Sequence, residues 1–336
     1  MKKKIALIVL VVVLSLAGFA AWKFLGPSVK VPDEKFLYIR TGQNFSAVRA
    51  DLHNEGIVPN IKWFDWTSRI IGYKTVRPGR YEIKKGMSLL TLTRMLKNGQ
   101  QTPVNFVITK IRTKENLASR IGKYFECDSM QMINFLNSAD SLQQYGLDSN
   151  TVMAAAMPYT YTIKWNTTAR KVFDQFFTAY KTFWTDERKQ KAEKLGLTPL
   201  QASTLASIID EETNSKTDKP NVASVYLNRI AKGMPLQADP TVKFALRNFG
   251  LKRILKGHLT TPSPYNTYIN KGLPPGPICT PDLQTIDAVL DSPRTDYLYF
   301  VASSNFDGSH VFTTNYAEHM KLARIYQQEL NKRNIR

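Results

Sequence analysis

Three consecutive carboxylates, Asp210-Glu211-Glu212, lie near the end of the stretch that runs from Leu205 to Asn214. A carboxyl group transfers protons usefully when its pKa is brought near working pH, so the question is whether the chain sets one of the three apart. Just upstream, Thr198-Pro199-Leu200-Gln201 combines a hydroxyl N-cap, a proline at the first helical position and a Gln three residues after the cap. That is the pattern of a capping box, and it predicts a helix from Pro199. Along this helix Leu205, Ile208 and Glu212 fall at i, i+3 and i+7 on one apolar stripe, while Asp210 and Glu211 point elsewhere. An acid that continues an apolar stripe in a last helical turn is partly desolvated and faces the negative end of the helix dipole, and both effects raise its pKa. Glu212 is therefore the candidate general acid. A solvated acidic cluster ending an ordinary amphipathic helix accounts for the same residues, and on this stretch alone the two readings stand level.

An ordinary glycosidase needs a second carboxyl group as nucleophile or base. Asp239 is the candidate for it, so a hydrolytic pair is open; a one-acid mechanism is also open if the substrate supplies its own nucleophile. The last third of the chain changes texture into loops rich in Pro, Gly, Asn and Tyr: Leu236 to Thr241, Ser263 to Tyr268, and Gly272 to Pro277. Turn formation explains part of that composition. It does not explain the density of amides and phenols, which is what a sugar cleft uses, and Gln237, Asp239, Tyr265, Asn266 and Tyr268 are its candidate residues. No phosphate loop, dinucleotide fingerprint or nucleophile elbow is present. The four histidines are scattered, and Cys127 and Cys279 lie in different regions without metal-type spacing, which reads as two independent buried thiols rather than a disulfide. Neither a metal nor a cofactor is expected.

The elements that must position these groups come in three parts. Met1-Lys2-Lys3-Lys4 precedes an apolar run from Ile5 to Trp22, closed by Lys23 and Gly26-Pro27. This is just long enough to cross a bilayer, with the lysines held in the cytoplasm and the rest of the chain outside. Ala17 to Ala21 also offers small residues at a signal-cleavage position, and an uncleaved anchor is favoured on hydrophobic length. A strand, turn and helix pattern then recurs: Phe36 to Arg40 into Phe45 to His53, Arg80 to Lys84 into Leu89 to Leu96, and, in degenerate form, Val104 to Ile108 into a helix around Leu117 and Ile121. Such units suggest a small α+β module. Further on, Asp128 to Tyr145 is helical, Phe173 to Trp184 reads as one long amphipathic helix running into the charged stretch Asp186 to Lys194, and Asp218 caps a helix ending at Gly233. Tyr297 to Ala302 and Ser309 to Phe312 form a hairpin around Asn305 to Gly308, and a final helix runs from Asn315 to Asn331.

A length of 336 residues allows two or three domains, and 43% hydrophobic content is ordinary for a globular core. A formal charge of +19 is not ordinary, and it suits an anionic partner such as nucleic acid, lipid headgroups or an acidic wall polymer. Nucleic acid is the weakest of these, since no basic helix interleaved with aromatics occurs and an exported domain rarely meets DNA.

Several ordered motifs together resemble a known family. Ala206 to Thr213, Val222 to Arg229, Leu236 to Val242, Tyr265 to Tyr268, Gly272 to Gly276 and Tyr297 to Val301 look like the MltG/YceG family of endolytic murein transglycosylases. The second strand–turn–helix unit, Arg80 to Asn98, resembles the LysM type of glycan-binding fold, and a plain spacer that lifts the catalytic part off the membrane is the other reading of it. The resemblance implies an α+β chain with a transmembrane helix over residues 1–26, a LysM-like α+β module over 27–103 and a mixed α+β catalytic domain over 104–336. The family's catalytic acid, the Glu directly before Thr, corresponds to Glu212. It implies a peptidoglycan lytic transglycosylase of the bacterial cytoplasmic membrane, N-terminus inside and catalytic domain on the outer side, acting on nascent glycan strands beside cell-wall synthases. A hydrolytic muramidase using Glu212 with Asp239, or a non-catalytic wall-binding scaffold, are the alternatives. In one place the chain departs from the pattern: Met157-Pro158-Tyr159-Thr160-Tyr161 stands where relatives carry a Phe-Pro-Asp-Thr-Tyr-like segment, so no role for that aspartate carries over.

Overall fold

The computed structural model describes residues 2–333. Its chain divides into two compact units, the first comprising the described residues up to Phe106 together with Tyr124–Cys127 and Thr162–Thr168, the second Val107–Lys123, Asp128–Tyr161 and the remainder from Ala169.

The first unit begins with α1 (Lys2–Leu25), 24 residues with a mean hydropathy of 2.7 over its most apolar window. At 1.5 Å per residue it is roughly 36 Å long, enough to cross a hydrocarbon core. Then follow β1 (Phe36–Ile39), α2 (Phe45–Asn54), α3 (Ile61–Ile71), β2 (Gly79–Glu82) and α4 (Leu89–Asn98). Each helix has a side-chain N-cap: Asn44 accepts from the Ala47 amide, Asn60 from Lys62 and Ser88 from Thr91. β1 and β2 pair antiparallel from Phe36 opposite Glu82 to Ile39 opposite Gly79. The helices close over this ribbon through Leu37, Ile39, Val48, Leu52, Phe64, Tyr81, Leu92 and Leu96, all buried. The repeat seen in the sequence is therefore not three self-contained copies. The strands of the first two copies pair with each other, α3 lies between them, and the third strand, β3 (Val104–Val107), pairs instead with β4 (Thr160–Ile163). A four-residue strand satisfies few of its own backbone groups, so it must take a partner from elsewhere in the chain.

The second unit contains α5 (Lys114–Tyr124) for most of its length, α6 (Ser129–Asn137), α7 (Ala139–Gln143), a 3₁₀ turn at Val152–Ala155, α8 (Ala169–Phe183), α9 (Asp186–Lys194), α10 (Pro199–Glu212), α11 (Lys219–Ala231), α12 (Asp239–Ala245), a second 3₁₀ turn at Lys256–Thr260, and α13 (Leu283–Leu290). The hairpin of β5 (Tyr299–Ala302) and β6 (His310–Thr313) and the last helix α14 (Tyr316–Lys332) complete it. The long aromatic helix expected over Phe173 to Lys194 is two helices. Thr185 breaks it, its hydroxyl accepting from the Arg188 amide as the N-cap of α9. The segment around Asp239, expected as loop, opens α12, with Pro240 in its first turn. β5 and β6 pair antiparallel from Tyr299 opposite Thr313 to Ala302 opposite His310.

α10 is the axis of this unit. Its capping box is formed, with Thr198 Oγ1 accepting from the Gln201 amide and Gln201 Oε1 from the Thr198 amide. Every residue from Ala202 to Asp210 is buried. A helix apolar or small on all sides is a core helix rather than an amphipathic surface one, and here α9, α11, α12 and α13 pack around it. Its small residues let neighbours approach closely: Ser207 Oγ accepts the Ile278 amide at 3.0 Å and donates to Thr204 O. Gly276 answers a similar need, since a Cβ there would sit 2.1 Å from the Asn150 carbonyl oxygen.

Candidate active site

The three acids at the end of α10 meet three different environments. Asp210, 6% exposed, accepts Lys219 Nζ at 2.5 Å and Thr285 Oγ1 at 2.7 Å on one oxygen and the Asp282 amide at 2.9 Å on the other. Burial alone would raise its pKa, but these donors outweigh it and hold the carboxyl below its usual range. Glu211 takes a bidentate grip from Arg112, Nε to Oε1 at 3.1 Å and Nη2 to Oε2 at 3.0 Å, with Lys110 Nζ at 3.5 Å. Neither acid belongs to a solvated cluster; both are structural ion pairs.

Glu212 differs. Among the described residues no cation forms an ion pair with it, and its hydrogen-bond donor is neutral: Tyr226 Oη, from α11, donates to Oε1 at 2.8 Å. Desolvation pushes the Glu212 carboxyl up; the Tyr226 hydroxyl opposes this, the negative charge of Asp239 reinforces it, and the more distant charges of Lys243 and Arg229 oppose it. The net result is a carboxyl raised to about 7. Tyr226 itself is buried and its phenol is raised far out of reach of titration, chiefly by desolvation and then by Glu212, so it remains a donor at every physiological pH.

Around this pair, α11 and the loop before α12 are locked together by Arg229. Its guanidinium donates to Leu298 O and Leu236 O, each at 2.7 Å, and lies over the Tyr299 ring. Gln237 follows with a left-handed backbone, φ +53, its amide donating to Thr267 O and its side-chain oxygen 3.5 Å from Arg229 Nη1. A non-glycine residue there is strained, and the cross-linked loop holds it: Thr267 Oγ1 accepts the Ala238 amide and lies 2.9 Å from Thr241 Oγ1. Asp239 accepts the Tyr268 hydroxyl at 2.6 Å. Asn266 is fully buried and its amide is spent on the loop itself, donating to Leu259 O and Thr261 O and accepting from the Tyr268 amide. Tyr265 packs against Phe244, ring centroids 4.7 Å apart, with its hydroxyl 3.5 Å from Asn150.

A cleft of about 620 Å³ opens from Glu212–Ser215 toward Ser303, Phe306–His310 and Tyr326. The hairpin on its far side was expected as an element, but none of its residues was a candidate for the site. Asp218, expected to cap α11, makes no cap bond; its Oδ2 instead accepts the His310 backbone amide at 2.8 Å and lies 3.0 Å from His310 Nδ1. That carboxylate fixes the imidazole against the cleft wall. Phe306, also in the left-handed region at φ +60, stacks on Tyr326 with centroids 5.5 Å apart, giving the cleft a flat aromatic flank.

So the structure brings Glu212, Asp239, Tyr268 and Gln237 into one electrostatic neighbourhood, places Asn266 inside the loop that carries Tyr268, and adds Tyr226, Arg229 and the Asp218–His310 pair. Tyr226 lies within the Val222 to Arg229 motif, but nothing in its spacing marked it for this role, because a hydroxyl on an apolar helical stripe reads as core until the facing helix is known.

The chain is similar to several known proteins. An endolytic murein transglycosylase of Bacillus subtilis (strain 168) is 30% identical over 311 residues, covering 88% of this chain and 85% of that protein. One from Streptococcus pneumoniae (strain D39) is 25% identical; the match takes in 94% of this chain but 63% of the relative, so the chain spans less than two thirds of that relative's length. The 2.6 Å crystal structure of a yceG-like protein from Listeria monocytogenes matches with a TM-score of 0.59 at 26% identity, covering 86% of this chain and 99% of that one. Residues 37–325 match the YceG-like family, and with the matched span taking in most of its length, the chain belongs to that family.

Proposed function

We propose that this chain is a membrane-anchored lytic transglycosylase that cuts within peptidoglycan strands using Glu212 as its single catalytic acid and base. The observation that carries the reading is a carboxyl raised to about 7, hydrogen-bonded by a neutral phenol and open to a cleft. Near neutral pH such a group is populated in both forms, which a residue that must first give and then take a proton requires. Protonated Glu212 donates to the oxygen linking N-acetylmuramic acid to N-acetylglucosamine, and the C1–O bond breaks with the leaving sugar keeping that proton. The carboxylate then removes the proton of the muramyl C6 hydroxyl as its oxygen bonds to C1, and a 1,6-anhydro end results with Glu212 reprotonated. Tyr226 stabilises the ionised stage through its hydrogen bond, and Asp239 favours the protonated stage through its charge. Gln237, Tyr268 and Tyr265 are assigned to the substrate side of the loops; Asn266 supports Tyr268 from within.

In the same reading α1 crosses the cytoplasmic membrane with its lysines inside, the first unit serves as a LysM-like glycan-contacting module, and the enzyme works beside wall synthases to limit strand length. The family match and the apolar α1 support this placement. Mass spectrometry of products from intact sacculi and from uncrosslinked strands tests the chemistry. Anhydromuropeptides are expected from wild type and not from Glu212→Gln. Reducing ends carrying an added water would select the muramidase pair of Glu212 and Asp239, and no release by either protein would select a scaffold.

A further inference from the structure

α3 carries a face that its own unit does not use. Phe64, Thr67 and Ser68 point inward and are buried. On the opposite side Lys62, Trp66 and Ile70 follow at i, i+4 and i+8, a single helical stripe, with Trp66 61% and Ile70 71% exposed. Two large apolar side chains held open on one short helix are unusual for a surface meant for water. Between these faces Trp63 is half-buried, its ring 6.3 Å from Phe19 and 5.4 Å from Phe24, both in the last two turns of α1.

That contact decides what the open face meets. The apolar run of α1 ends at Trp22, with Lys23 next, so its Phe19–Leu25 end lies where the span emerges into headgroups, and α3 is packed against that end. The charge agrees: Lys62, Arg69 and Lys74 are exposed around the stripe, and Lys23 lies over the Trp22 ring at 4.7 Å. The acid of α3, Asp65, is turned away and held by Arg49 at 2.9 Å. An apolar stripe with tryptophan, flanked by cations, is the make-up of a helix lying in a membrane interface, and anionic lipid attracts such cations.

We propose that α3 is an interfacial helix, embedded in the headgroup layer of the bilayer that α1 crosses, with Trp66 and Ile70 in lipid and Lys62 and Arg69 at the phosphates. This rests on the reading of α1 as a membrane span. The competing occupant of an exposed tryptophan in this module is a glycan strand, and the test separates the two.

The full chain carrying Ile70→Cys, labelled with bimane and reconstituted in vesicles of phosphatidylethanolamine and phosphatidylglycerol, reports the environment of the stripe; native Cys127 and Cys279 are buried and do not compete for label. The expected result is loss of emission to lipids brominated near the ester linkages and protection from aqueous iodide. Adding Trp66→Ser is expected to return the label to iodide. A parallel Leu14→Cys label, quenched by lipids brominated deep in the acyl chains, verifies the span. A quenched Leu14 label with an Ile70 label fully open to iodide would overturn the interfacial helix alone, and so would an Ile70 label that responds to soluble glycan strands but not to brominated lipid. An unquenched Leu14 label would remove the anchor and this inference with it.

Discussion

The two flanks of the last turn of α10 carry the same functional group one residue apart. On one flank Asp210 and Glu211 are surrounded by Lys219, Lys110 and Arg112 and by hydroxyl and amide donors; on the other Glu212 has one phenol and a cleft. Both flanks are desolvated, so burial alone does not distinguish them. What distinguishes them is whether the donors favour the charged form strongly enough to outweigh desolvation. At Asp210 they do, and Asp210 and Glu211 become fasteners tying α10 to α13, the start of α11 and the segment at Lys110–Arg112. On the second they do not, and the acid keeps a proton near neutral pH.

This contrast can be broken in order of size. Removing the titrating group is the most severe: Glu212→Gln is expected to lower kcat by roughly 10²–10⁴-fold, measured by anhydromuropeptide release, with the circular dichroism spectrum unchanged. Asp210→Asn should act through stability, because it leaves Lys219, 12% exposed, without its buried counter-charge. A loss of about 3–5 kcal/mol is expected in chemical denaturation. If it instead changed the pH profile of an intact fold, the division between fasteners and catalyst would be wrong.

The third effect has the opposite sign. Glu212 has a folded pKa of about 7 against the ordinary 4.5. Its ionised form is thus disfavoured in the fold, and the stability present below pH 4.5 is lost as pH rises through 7. By pH 8 the loss is about 3 kcal/mol. Glu212→Gln should therefore be more stable than wild type by that amount at pH 8 and equal to it at pH 4, which thermal melts at the two pH values can read. The smallest effects form a pair. Tyr226→Phe removes a hydrogen bond to the carboxylate and should move the pH profile up by roughly one unit. Asp239→Asn removes a negative neighbour and should move it down by less.

The sequence made some of this legible. Thr198-Pro199-Gln201 announced the start of α10, and the alternation through Tyr299 and His310 announced the hairpin, because caps and short-range pairing depend on adjacent residues. α3 and α13 were passed over although Asn60 and Asp282 stand at their N-caps; those signals were present. Helical periodicity puts Glu212 on an apolar stripe, but α10 is buried all round from Ala202 to Asp210, so a stripe is not what separates Glu212 from Asp210. The separation comes from Lys219, Thr285 and Asp282 on one side and Tyr226 on the other, contacts spanning 9 to 75 residues that no local pattern encodes. Asp218 shows the same limit: its type and position suited a helix cap, yet a partner 92 residues away claimed it.

The proposed mechanism turns on a Glu212 carboxyl that titrates near neutral pH. A ¹³C titration of the glutamate side-chain carboxyls in the full-length protein, with Glu212→Gln used to assign the resonance, tests it directly. The account predicts a Glu212 midpoint near 7; a midpoint at the ordinary 4.5 would contradict it.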